Sequence, residues 1–190
     1  CGEHAGNLKS IQETVSRARH HATAIGSHPG HSDPKEFGRR PHPINPDAAA
    51  DLVLNQVARI AAVAGDDLHH VKLHGALYHQ VGLSEALAIA VSRALAVEWP
   101  HLFLYAAAGS PLASIATHEG LHVIPEAFAD RRYHKSGELI SRSEDNATIE
   151  STNEAAAQAY EIVRYNVITT SLGKKIPISA ETLCVHGDGL

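Results

Sequence analysis

The stretch His70-Val71-Lys72-Leu73-His74-Gly75 decides the fold class, because it has the pattern of a short strand that stops at a glycine. A helical pattern follows it, with Ser84 as the predicted N-cap and an end near Val97. The apolar segment 102–106 then predicts a second strand. A strand, a helix and a strand at this spacing indicate a βα unit, whose strands pair in parallel.

The same alternation continues in both directions along the chain. We predict helices over residues 8–20, 46–63, 111–118 and 153–166, and strands over 22–26, 121–125 and 182–185. Asn7 and Asn45 are the predicted N-caps of the first two helices. The long loops 31–45 and 130–152 are of a length that often indicates a functional role, such as a lid. The sequence therefore predicts a single α/β domain over residues 1–190 with a parallel sheet.

Composition excludes several classes of function. Apolar residues make up 44% of the chain and charged residues 19%, which is typical of a globular domain. The net charge is -5 and there is no basic tract, so a nucleic-acid partner is not expected. The sequence has neither an apolar run of membrane-spanning length nor a signal-peptide pattern, so no membrane partner is expected. Two cysteines give no disulfide framework, which favours a cytoplasmic location.

Polar residues recur at or just after the predicted carboxyl ends of strands, and histidine followed by glycine is the most frequent pattern. Parallel barrels place their active site at that edge, and histidine and aspartate can move protons near neutral pH. We therefore expect one shared hydrolytic site. The candidate catalytic residues are His4, His28, Lys72, His74, Asp130, His186 and Asp188.

The basic candidates suggest that the site binds an anion. Lys72 lies two residues before His74, so it is predicted to point to the same side of the strand. Arginine binds carboxylate or phosphate through paired hydrogen bonds. The candidate anion ligands are Arg39, Arg40, Arg131 and Arg142. The alternatives are a buried ion pair for the lysine and solvated loop positions for the arginines.

A metal is a second option for the histidines. His4 and His28 are the candidate ligands, since imidazole and carboxylate together suit Zn, Mn or Fe. The sequence contains no HExxH motif, no GxSxG nucleophile and no P-loop, so neither a zincin, a serine hydrolase nor an ordinary ATP cradle is indicated. Other histidines, including His69, His70 and His118, are predicted to lie on the surface without a role.

Six short motifs, in this order and spacing, resemble the LamB/YcsF family over all 190 residues. They are Cys1-Gly2-Glu3-His4-Ala5-Gly6, Ser27-His28-Pro29-Gly30, Phe37-Gly38-Arg39-Arg40, Lys72-Leu73-His74-Gly75-Ala76-Leu77-Tyr78, Glu126-Ala127-Phe128-Ala129-Asp130-Arg131 and Cys184-Val185-His186-Gly187-Asp188. The resemblance implies a seven-stranded TIM-like β/α barrel of the glycoside hydrolase/deacetylase type. The family's first strand, which ends in Asn-Cys-Asp-Leu-Gly-Glu, and its last helix are not in this sequence. We therefore expect truncation at both ends.

The resemblance also implies an activity. The family supplies the A subunit of an ATP-dependent 5-oxoprolinase, which opens 5-oxo-L-proline to L-glutamate together with subunits B and C. ATP, with Mg²⁺ as its counter-ion, is then expected to be used through the partner subunits. Glu3, Asn7 and Leu73 depart from the family pattern. Two alternatives stay open, a stand-alone metal-dependent deacetylase-like hydrolase and a barrel subunit that is not catalytic.

Overall fold

The structure, a computed structural model, describes residues 1–142 and 144–186 and divides the chain into two compact units. The first unit comprises Cys1–Ala106 and Pro111–Val123, and the second comprises Ala107–Ser110 and the residues from Ile124 onward. The expectation of a single domain stays a prediction.

The first unit contains three parallel strands and five α-helices within its described residues. In chain order these are α1 (Leu8–His20), β1 (Ile25–Ser27), α2 (Pro46–Ala64), β2 (Leu68–Lys72), α3 (Gly75–Leu83), α4 (Glu85–Glu98), β3 (Phe103–Ala107) and α5 (Pro111–His118). A 3-10 turn, Gly65–Asp67, joins α2 to β2. The central strand β2 pairs with β1, where Gly26 faces His70, and with β3, where Lys72 faces Tyr105.

The three predicted N-caps are confirmed. The side chain of Asn7 accepts a hydrogen bond from the backbone N–H of Ser10 at 3.1 Å, and Asn45 accepts one from Ala48 at 2.8 Å. Ser84 caps α4 through the N–H of Leu87. Each cap satisfies a backbone donor that has no partner inside its helix, so these local residues fix where the helices begin.

Helix α2 covers the sheet and supplies much of the core. Its Val53 and Val57 are fully buried, as is Leu104 of β3, and the helix contacts β1, β2 and α4. Together with the turn after it, α2 is long and apolar enough to cross a membrane by composition, with a mean hydropathy of 1.2. A helix that packs on a sheet needs an apolar face of the same kind, and a third of this segment is buried.

The strand that defined the fold class ends earlier than predicted. It ends at Lys72, and His74 is the N-cap residue of α3, a helix that the sequence analysis missed. The miss has a local cause, because Gly75 looks like a terminator and His74 provides no capping hydrogen bond. The prediction that Lys72 and His74 lie on the same face of one strand is therefore wrong.

The second unit contains a parallel pair of strands and an antiparallel hairpin. Its elements are β4 (His122–Phe128), α6 (Thr152–Tyr165), β5 (Val167–Thr169), β6 (Lys175–Pro177) and β7 (Thr182–Cys184). Strand β7 pairs in parallel with β4 and brings Cys184 opposite Phe128. The hairpin of β5 and β6 was not predicted, because strands of three residues carry almost no periodic signal. The predicted α/β fold with parallel strands is confirmed, with this antiparallel hairpin as an addition.

Candidate active site

In the first unit, His28 and His74 form a hydrogen-bonded pair. The Nδ1 of His74 lies 3.0 Å from the Nε2 of His28. The other nitrogen of each ring, called the outer nitrogen, contacts a backbone carbonyl. Nδ1 of His28 lies 2.7 Å from the carbonyl oxygen of Lys72, and Nε2 of His74 lies 2.7 Å from that of Phe37. A carbonyl oxygen only accepts, so both outer nitrogens carry a hydrogen and donate it. If both rings are neutral, each has its one N–H at the backbone carbonyl, and no hydrogen lies between Nδ1 of His74 and Nε2 of His28. This contact becomes a hydrogen bond when one of the two rings binds a further proton.

The third histidine, His4, packs on this pair through its ring face. Its ring is stacked on His74, with centroids 3.9 Å apart and planes 10° from parallel. His4 is 6% exposed, and its Nδ1 is buried without a hydrogen-bond partner among the described residues. His28 and His74, in contrast, each use both ring nitrogens in hydrogen-bond contacts.

The surroundings keep two of these histidines uncharged. Burial, and then the positive charge of His74, lower the pKa of His4 to about 4 and that of His28 to about 3. Both rings are therefore neutral near pH 7 and can accept a proton.

Loop glycines let the three rings approach each other. A Cβ on Gly30 would come within 3.0 Å of Nδ1 of His4 and 3.1 Å of Cβ of His74. The backbone of Gly30 is held from the other side by the buried amide of Gln56, which accepts from its N–H at 3.1 Å and donates to its carbonyl at 2.7 Å. Helix α2 thus fixes the loop that carries His28.

Phe37 and Arg39 lie beside the histidines. The ring of Phe37 meets His4 and His74 edge to face, at centroid distances of 5.5 and 5.3 Å. The guanidinium of Arg39 lies 5.1 Å from the centroid of the Phe37 ring. Arg40 is exposed in the same loop. Lys72 is half-buried, and its charge contributes to lowering the pKa of His28.

In the second unit, Asp130 and His186 form a hydrogen-bonded pair. Nδ1 of His186 lies 3.0 Å from both carboxylate oxygens of Asp130, and the backbone N–H of His186 donates to the same carboxylate at 3.0 Å. Burial acts to raise the pKa of Asp130, but the hydrogen bonds from His186 lower it overall. Since a carboxylate only accepts, His186 carries its hydrogen on Nδ1. When its ring is neutral, its Nε2 is the acceptor.

Arg131 has a structural role that was not predicted. It is 3% exposed and donates to the backbone carbonyls of Ala147, at 3.2 Å, and Ile140, at 2.5 Å. It therefore holds the long loop after β4. Burial, and then the nearby charge of Arg142, lower its pKa to about 10. Anion binding by Arg131 and Arg142 stays a prediction.

The predicted site residues thus fall into two groups, each within one unit. His4, His28 and His74 are in contact, with Arg39 and the backbone of Lys72 beside them. Asp130 contacts His186. Asp188 lies outside the described residues. That both groups serve one active site stays a prediction.

The geometry offers little support for the predicted metal. His28, one of the two candidate ligands, has both ring nitrogens in hydrogen bonds. Within residues 1–142 and 144–186, no three His, Cys, Asp or Glu side chains are grouped as metal ligands. A divalent metal at His4 and His28 therefore stays a prediction.

Sequence reasoning missed two residues beside the histidines and one buried carboxylate. Phe37 contacts His4 and His74, Gln56 holds the loop at Gly30, and Glu126 on β4 is only 3% exposed. Glu126 had a usable signal, because a charged residue inside an apolar strand is costly unless it has a specific environment. Phe37 and Gln56 had none, since both act through contacts distant in sequence. His70 is also corrected, because it is half-buried and stacked on Tyr105 with centroids 4.2 Å apart.

The depressed histidine pKa values predict that the protein loses stability in mild acid. The pKa of His70, like that of His4, is lowered to about 4 from 6.5, mainly by burial. Between these values the unfolded chain binds protons that the folded chain does not, so the free energy of unfolding falls as pH drops from 6.5 towards 4. The slope is up to about 1.4 kcal/mol per pH unit for each histidine. Thermal unfolding at a series of pH values measures it.

A matched pair of variants assigns this effect. His70→Phe keeps a ring against Tyr105 and should flatten the slope, whereas His118→Phe, at an exposed position, should leave it unchanged. An unfolding midpoint that is constant across this pH range would contradict the prediction.

Comparison with known proteins confirms the family resemblance. The model of the LamB/YcsF family matches residues 1–190. The A subunit of a 5-oxoprolinase from Shouchella clausii is 42% identical over 100% of this chain and 76% of its own length. The corresponding protein from Bordetella pertussis is 42% identical over 99% and 76%. The crystal structure of a lactam utilization protein from Thermus thermophilus superposes with a TM-score of 0.90 at 35% identity, over 98% of this chain and 76% of that one. The chain belongs to the LamB/YcsF family.

Proposed function

We propose that this protein is a hydrolase that opens a cyclic amide, acting as the A subunit of an ATP-dependent 5-oxoprolinase. The relatives named as A subunits of 5-oxoprolinases support the substrate and the division into subunits. The observation that carries the chemistry is the Asp130–His186 pair. It gives one histidine a fixed orientation and tautomer, which is what a general base for water requires.

The pair acts as follows. The carboxylate of Asp130 holds the Nδ1–H of His186, so Nε2 accepts the proton of an attacking water. The carboxylate also stabilises the imidazolium that this proton transfer produces. In the first unit, His4 is neutral and its Nδ1 has no hydrogen-bond partner among the described residues, so it can accept or return a proton there.

Coupling to ATP follows from the resistance of a five-membered lactam to water. Transfer of a phosphoryl group to the amide oxygen makes the ring carbon a better electrophile. Water then adds to that carbon and the ring C–N bond breaks, with a proton going to the nitrogen. A second water releases phosphate and leaves glutamate. Arginine and lysine side chains suit the carboxylate and phosphoryl groups, and Arg39, Arg40, Arg131, Arg142 and Lys72 are the candidates.

The partners and architecture belong to the same proposal. Subunits B and C supply the ATP-dependent step, with Mg²⁺ as the nucleotide's counter-ion, and the complex is cytoplasmic. The parallel strands belong to a seven-stranded β/α barrel, a proposal supported by the TM-score of 0.90 to the Thermus protein.

The activity is tested by mixing the full-length protein with its B and C subunits, 5-oxoproline and ATP. We expect release of glutamate that requires all three proteins and stops when ATP is left out. A mixture that is complete and properly folded but forms no glutamate would refute the proposal. Glutamate release without ATP or partners would instead favour a stand-alone hydrolase.

A further inference from the structure

Phe37 has two features that are unfavourable for folding. Its φ is +54°, in the left-handed region, where a bulky side chain is strained relative to ordinary backbone. Its ring is also 40% exposed, although an aromatic side chain gains most from complete burial. Glycine or asparagine would fit this backbone better and would leave less apolar surface in water.

The surroundings of the ring suggest why phenylalanine is present. One part of it contacts His4 and His74, which are themselves buried. The positively charged guanidinium of Arg39 lies over the ring, 5.1 Å from its centroid. The exposed part of the ring is therefore an apolar surface bordered by two histidines and by a cation.

We propose that Phe37 is a substrate-contacting residue that selects small cyclic ligands carrying a carboxylate. The ligand ring packs against the exposed part of the Phe37 ring, and its carboxylate binds the guanidinium of Arg39. This inference rests on the proposed function for its choice of ligand, but its subject is the specificity of the site. Strain at Phe37 is the cost of presenting the ring at this position.

The Phe37 backbone also has a role that the side chain does not share. Its carbonyl accepts from Nε2 of His74 at 2.7 Å. Replacing the side chain while keeping the left-handed backbone should therefore leave the His28–His74 pair in place. Phe37→Gly and Phe37→Asn meet this condition, since both residues tolerate a positive φ.

The test measures 5-oxoproline binding by titration calorimetry, together with KM and kcat in the complete complex. In Phe37→Gly and Phe37→Asn we expect the dissociation constant and KM to rise about tenfold or more, as for loss of an aromatic contact residue. We expect kcat to change less. Arg39→Gln should weaken 5-oxoproline binding, but not the binding of 2-pyrrolidinone, which has the same ring without the carboxylate.

Ala22→Gly is the matched control. Ala22 also has a positive φ, +52°, and is exposed in the turn after α1. The variant should gain stability from relief of strain and keep its affinity and KM.

Three outcomes separate the two proposals. If the parent protein releases glutamate but both Phe37 variants keep its KM and affinity, the inference is wrong and the proposed function stands. If the parent binds 5-oxoproline without turnover, the affinities of the variants still decide the inference. If the parent neither binds nor converts 5-oxoproline, both proposals fail.

Discussion

Asp130→Asn should reduce kcat for glutamate formation by about 10²–10⁴-fold, the range expected when a positioned general base is lost. The carboxylate accepts the Nδ1–H of His186 at 3.0 Å, and an amide of the same shape can present its NH₂ group there instead. The histidine then loses both its fixed tautomer and the charge that stabilises its protonated form. Steady-state rates in the complete complex measure the effect, and KM should change little.

The matched control is Asp66→Asn, which makes the same chemical change at an exposed position in the turn before β2. It should leave kcat unchanged. Asp130 also accepts the backbone N–H of His186, so the substitution could disturb folding. Circular dichroism checks that the Asp130→Asn protein is folded. A folded Asp130→Asn protein with parental kcat would exclude this pair as the base.

Gly75→Ala should destabilise the protein by at least about 2 kcal/mol and remove activity as well. Gly75 has a φ of +55°, and a Cβ there would lie 2.5 Å from the carbonyl oxygen of Gly38. That carbonyl accepts from Ala76 at 3.0 Å, so the obstruction is backbone that is already held in place. The Phe37–Gly38 loop must move away, and the carbonyl bound by His74 moves with it.

A second glycine in the same helix provides the control. Gly82 has an ordinary helical backbone and nothing within 4 Å of its would-be Cβ. Gly82→Ala should therefore stabilise the protein by about 0.5–1 kcal/mol, through the usual difference between these residues in a helix. Chemical denaturation of both variants gives the comparison. Equal free energies of unfolding for Gly75→Ala and the parent would contradict the prediction, because the loop at Gly38 would then move aside without loss of stability.

Local signals explain how much of the fold was predictable. The caps at Asn7, Asn45 and Ser84 are side-chain interactions over three residues, so they can be predicted without the rest of the chain. Helix α3 has no such cap, and the β5–β6 strands are too short for a periodic pattern. The start of α3 depends on a distant segment, since the N–H of Ala76 donates to the carbonyl of Gly38.

The candidate site also combines residues that local sequence signals select with contacts that such signals do not show. Residue type and position after a strand made His28, Asp130 and His186 candidates, because active sites of parallel sheets lie at the ends of strands. His4 and His74 were candidates too, but neither lies in a strand. Sequence could not show that His74 joins a carbonyl to His28, or that Arg131 is used to hold a loop.

The sequence by itself therefore determined the α/β class, the starts of α1, α2 and α4, and the stretch 70–75 as one where a strand ends close to a histidine. Tertiary structure alone decided that the strand ends at Lys72, that His74 begins a helix and that Phe37 lies against its ring. The physical reason is the distance along the chain over which each interaction acts. Capping and periodicity act between residues a few positions apart, whereas the roles of His74 and Phe37 come from contacts made 37 positions apart in the chain.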